Sequence, residues 1–105
     1  MHDPAAQWLM QEAVDHLAED DLGVYELLWL LRGSDFGLDE AAAEALARKT
    51  AARLLTAGTA KLVHLKWPTK EIVPGEISED ALYNDNVFEF SEAGVYLALE
   101  STESA

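Results

Sequence analysis

At Gly58 the apolar residues of this chain change period, and that change sets what it can fold into. Before it they recur three and four residues apart, as helices require. After it, Lys61-Leu62-Val63-His64-Leu65-Lys66-Trp67 alternates as a strand, with Val63, Leu65 and Trp67 on one side and His64 sharing the other with Leu62 and Lys66. The pattern predicts an α+β fold that is mostly α.

Three helices are expected in the first half. Asp3-Pro4 opens the first: Asp caps free N–H groups and Pro fits the first helical position. Trp8, Leu9, Ala13 and Leu17 continue it, over residues 3–19. The second, Leu22–Arg32, is apolar nearly all round and is expected to be the central buried helix, stopped by Gly33. Asp39 caps the third, running to about Ala57 with a basic outer face of Arg48, Lys49 and Arg53; its composition favours one continuous helix, and the alternative is a turn near Arg48–Thr50 with Thr50 as a cap. Beyond the first strand, Val87–Phe90 reads as a second. Ser91 then reads as the cap of a closing helix through Val95, Tyr96, Leu97 and Leu99, with 101–105 as a frayed tail. Between the strands lies a 68–86 insertion, with a turn signal at Pro74-Gly75 and a single helical turn expected over Ser78–Tyr83.

The 105 residues suffice for one domain with its own core, and half of them are hydrophobic. With no cysteine, disulfides and thiolate chemistry are excluded. No basic n-region precedes an apolar stretch at the start, and no apolar run approaches the roughly 20 residues of a membrane span, so a cytoplasmic protein with no membrane partner is expected. Charge is segregated. Residues 1–31 carry −7 and residues 71–105 carry −9 without a single Lys or Arg, around a middle of +3, for a net −13. Such a field favours cationic partners and disfavours nucleic acid.

The order of elements resembles a winged helix-turn-helix domain over about residues 22–101. The resemblance rests on Leu54-Leu55-Thr56-Ala57-Gly58-Thr59-Ala60-Lys61-Leu62-Val63, similar to that family's recognition helix running into its first wing strand. It rests also on Phe88-Glu89-Phe90-Ser91-Glu92-Ala93-Gly94, similar to the family's exit from the second wing strand. The fold it implies is winged-helix-like, with an extra N-terminal helix, a two-stranded wing carrying a long insertion, and a C-terminal helix. The uninterrupted third helix and the long acidic wing depart from the family pattern.

Two surfaces are candidates for function. The insertion region holds Trp67, Ile72, Ile77, Leu82 and Tyr83 among acids that include Glu79 and Asp80, a composition suited to a protein partner with a cationic rim; the alternative is that these side chains fold back to extend the core, and both hold if the inner half packs and the outer half binds. The alternative is DNA contact by Arg48, Lys49, Arg53, Lys61 and Lys66. Against it, Glu44 and Arg48 are spaced for an ordinary i,i+4 pair. Glu12, His16 and Glu19 or Asp20 share a helix face, but one His among carboxylates reads as a surface helix, and no metal or cofactor is expected. Ser34, Ser78 and Ser91 sit at caps and turns, where hydroxyls bond backbone; no pair of carboxylates is spaced as an acid–base couple, and an enzyme is not expected. The leading reading is a non-enzymatic adaptor or inhibitor, a monomer or homodimer, that binds a protein partner, a basic one fitting best.

Overall fold

The computed structural model describes residues 3–75 and 77–102. The elements run α1 (Pro4–Leu17), β1 (Leu22–Gly23), α2 (Val24–Arg32), α3 (Glu40–Thr56), β2 (Ala60–Lys66), β3 (Glu71–Val73), a short 3-10 helix (Glu79–Tyr83) and β4 (Val95–Ser101). The four strands form one sheet in the order β1-β4-β2-β3, with every neighbouring pair antiparallel. The fold is therefore α+β. Among the described residues no helix is long and apolar enough to cross a membrane.

The helices begin and end where their capping residues stand. The Asp3 carboxylate accepts from the N–H groups of Ala5 and Ala6, and that of Asp39 from Ala42. At the end of α3 the N–H of Thr59 donates to the Leu54 carbonyl and that of Gly58 to the Leu55 carbonyl. This two-bond closure requires the left-handed φ of 74° that Gly58 adopts. α3 is one unbroken helix, as its Ala, Glu, Leu and Arg content dictates.

Leu9, Ala13, Leu27, Leu31, Ala47, Ala51 and Leu54 from the three helices pack on the sheet face formed by Leu62, Leu97 and Leu99. A second, smaller cluster lies on the opposite sheet face: Val63 and Leu65 from β2, Tyr96 and Ala98 from β4, with Tyr25 packed against them.

The end of the chain corrects the sequence reading. Residues 87–90 form turns and no strand, and the expected C-terminal helix is the strand β4. β2 pairs with β4 along its whole length, from Ala60↔Ser101 to Lys66↔Val95. Ser91 does not cap a helix. Its hydroxyl accepts from Val95 N–H and its own N–H donates to the Val95 carbonyl, so it closes a turn whose Gly94 has φ of 81°. The expectation failed because Val95–Leu99 is an apolar run buried on both faces, and such a run has no period to betray it as a strand. Ser101 belongs to β4 and not to a frayed tail, and residues 103–105 lie outside the described residues. At the start of the second helix, Leu22-Gly23 is also a strand, β1, paired to Leu99 and Ala98.

Candidate protein interface

The helices cover one face of the sheet, and the other face is covered by aromatic rings. β1 leads directly into α2, so Tyr25 rises from the first helical turn over the sheet edge. Its ring occupies the space a Gly23 side chain would need: a Cβ there would stand 2.5 Å from the ring. Gly23 is thus required by close approach. From that position Tyr25 meets Trp29 (5.2 Å between centroids), Phe90 (5.0 Å) and Tyr96 (5.5 Å), each edge-on, and Phe90 stacks on Tyr96 at 4.7 Å.

The surface continues across the strands. Leu65 stands opposite Tyr96 on one side and Ile72 on the other, so the three share a face, and Trp67 lies just past the end of β2. The Trp67 N–H donates to the Gly94 carbonyl. Trp29, Trp67 and Ile72 are 61%, 59% and 57% exposed. These large apolar side chains are left in water around the same sheet face's margin, the kind of exposure a candidate contact surface has.

Carboxylates converge beside these rings. The environment of the Tyr96 hydroxyl includes Glu26, Asp20 and Asp21 with only Lys70 as a counter-charge. Lys70 donates to the Asp20 carboxylate, and that bond, with the backbone N–H of Asp21, holds Asp20 below the usual carboxylate range. Asp21 is pushed up, first by burial and then by Glu100 and Asp20. Burial, and after it Glu26, raises the Tyr25 phenol to about 12. This corner thus holds negative charge in excess of its own cations.

The insertion residues divide. Ile72 lies on the aromatic face beside Leu65, and Trp67 is exposed just past the end of β2. Leu82 is fully buried in the main core and so is not available to a partner, which corrects its assignment to an interface; Ile77 packs against that core but stays partly exposed. The expected helical turn is present, with the Ser78 hydroxyl accepting from Asp80 N–H. Glu79 and Asp80 are exposed upon it. Tyr83 is exposed but lies elsewhere, beside the outer face of α3.

The basic set is likewise reduced. The Arg48 guanidinium donates from Nε to the Leu82 carbonyl (2.9 Å) and from Nη2 to the Asn84 carbonyl (3.1 Å), and lies over the Phe88 ring at 5.0 Å. It holds the insertion against α3. The three ion pairs among the described residues are Arg32–Glu40, Lys61–Glu100 and Lys70–Asp20, so the expected Glu44–Arg48 pair is not formed. Of the proposed DNA contacts, Lys49, Arg53 and Lys66 keep no acidic partner among the described residues.

Hydroxyls are occupied where they were expected to be: Ser34 donates to the Leu31 carbonyl, and Ser78 and Ser91 accept from backbone. Sequence reasoning missed Tyr25, Trp29, Phe90 and Tyr96 as surface-forming. The available signal was the i,i+4 spacing of Tyr25 and Trp29 in a helix whose other apolar residues are all Leu and Val. No family model matches the chain, and no curated protein or solved structure is significantly similar to it.

Proposed function

We propose that this chain is a winged-helix-like, non-enzymatic protein-binding module whose aromatic sheet face takes a basic, partly apolar segment of another protein. Support for the winged-helix reading is the order helix, short strand, two helices and a strand pair, with β1 lying against β4 as a third strand. The observation that carries the function is the face running from Trp29 through Tyr25, Phe90 and Tyr96 to Leu65 and Ile72, with Trp67 exposed just past β2, beside the carboxylates Asp21 and Glu26, which form no ion pair among the described residues. Aromatic surface takes an Arg or Lys side chain by cation–π contact, and a neighbouring carboxylate strengthens the pair. Long-range attraction by the net −13 would speed the encounter.

The DNA reading retains Lys49 and Arg53 on α3 and Lys66 on β2. Three cations, two of them on α3 and one on β2, under a strongly acidic molecule give little counterion release. The two readings part in one experiment. Basic proteins retained at physiological salt should be lost on Trp67→Asp/Ile72→Asp and kept on Lys49→Glu/Arg53→Glu. Tight duplex DNA binding that falls steeply with salt and disappears only in the Lys49/Arg53 variant would overturn the proposal. All four positions are exposed, so these variants should fold.

A further inference from the structure

A second surface lies on the outer side of α3. An open groove of about 580 Å³ runs along the helix, floored by the methyls of Ala45 and Ala52, walled by Tyr83 and edged by Lys49, Arg53 and Thr56. Arg48 builds it. By holding the carbonyls of Leu82 and Asn84 it fixes the chain on either side of Tyr83, and with Leu82 sunk in the core the Tyr83 ring is left outside, 61% exposed.

Lys49 and Arg53 stand one helical turn apart at the same groove, and among the described residues neither has a carboxylate partner, although the chain holds 20 acidic residues against seven basic ones. An ammonium and a guanidinium beside an apolar floor and an aromatic ring complement one chemical class. We infer that this groove binds a small amphipathic anion: a ring or short hydrocarbon body lying between Tyr83 and the alanines, with a carboxylate or phosphate between Lys49 and Arg53. The carbonyl end of α3 at Thr56 repels negative charge, so the anionic head stays between Lys49 and Arg53 and does not shift on toward Thr56. The inference is independent of the aromatic sheet face, which lies across the sheet from α3.

Naphthoate supplies the test, with naphthalenemethanol as its neutral counterpart, each titrated into the full chain and followed by amide and aromatic NMR shifts. Naphthoate should move the amides of residues 45–57 and the Tyr83 ring, saturably and with weakening as salt rises. The alcohol should bind at least several-fold more weakly. Lys49→Glu/Arg53→Glu should lose about tenfold or more in affinity, equivalent to about 1.4 kcal/mol. Tyr83→Ala should lose several-fold while leaving the salt dependence in place. Equal affinity for the alcohol, unchanged affinity in the Lys49/Arg53 variant, shifts confined to the Trp67–Ile72 face, or no shifts at millimolar ligand would each overturn the inference. The substituted residues are exposed, and dispersion of the unliganded spectrum reports their folding directly.

Discussion

Replacing Arg48 by Ala separates a structural arginine from a ligand-facing one. In the structure its guanidinium makes two bonds to backbone carbonyls 34 and 36 residues away and lies over Phe88. Charge-assisted bonds contribute about 1.5–3 kcal/mol each when shielded from water, and toward 0.5 when water can replace the donor. The Leu82 carbonyl bond is partly buried and the Asn84 bond is exposed, so together they come to about 2 kcal/mol. The contact with Phe88 adds about 0.5–1 kcal/mol. Arg48→Ala should therefore destabilise by about 2–3 kcal/mol. With a urea slope of about 1–1.5 kcal/mol/M for a chain this small, the midpoint should fall by about 2 M. Arg48→Lys keeps the stem and the charge but can reach only one carbonyl well, and should lose about half as much. Lys49→Ala and Arg53→Ala, on the same helix but without such bonds, should stay within about 0.5 kcal/mol of the parent. Amide exchange should show the loss concentrated at residues 79–88 before it spreads, because Leu82 and Val87 belong to the core. A midpoint for Arg48→Ala no different from those two controls would refute the assignment and return Arg48 to the solvent-facing set.

Three further outcomes follow from the same geometry. The Tyr25 phenol holds its proton to about 12, above an unfolded value of 10.0, so its contribution is complete below pH 10 and disappears as pH rises toward 12; alkaline unfolding of Tyr25→Phe should lack that component when followed by circular dichroism. Asp21 has the same sign in a lower pH window: its carboxyl is raised, so ionising it opposes folding at neutral pH and the penalty is relieved as pH falls through its folded value, and Asp21→Asn should raise Tm at pH 7 while the gain fades in acid. Gly58→Ala places a side chain at φ 74° with open space around it, so the cost is backbone strain alone, about 1 kcal/mol by thermal unfolding.

Local signals carried the first half of the fold. Asp3, Asp39 and Gly58 mark helix ends by chemistry that acts within four residues, and the helices stand where those residues put them. The second half depended on partners far away in sequence. β1 is two residues long and exists because Leu22 and Gly23 find Leu99 and Ala98. Arg48 read as the centre of a solvated basic face because its acceptors, the carbonyls of Leu82 and Asn84, belong to a loop whose path no periodicity announces. Leu82 and Tyr83, adjacent in sequence, go to opposite environments. The short helical turn was legible; which of its side chains would enter the core was not.

The misread strand and the missed surface have one origin. A strand that is apolar on both sides needs cover on both sides, and Val95–Leu99 is such a strand. Leu97 and Leu99 are covered by three helices. Tyr96 and Ala98 face the other way, where the described chain offers no helix and the cover is a lattice of rings from Tyr25, Trp29 and Phe90. Those rings bury Leu65 and Ala98 at 1% and 0% exposure, yet Trp29, Trp67 and Ile72 remain more than half exposed at the margin. The cover is therefore sufficient for the sheet and incomplete for itself. Burying that margin would stabilise by about 25 cal/mol per Å² of apolar surface removed from water. Whatever supplies it must also tolerate Asp21 and Glu26 beside it, which selects for a cation. Gly23→Ala tests this dependence: a Cβ 2.5 Å from the Tyr25 ring must displace that ring, so near-ultraviolet circular dichroism of the aromatic cluster and retention of basic proteins should be lost together while the α-helical signal stays. Retention that survives loss of the aromatic signal would mean that the rings only cap the sheet.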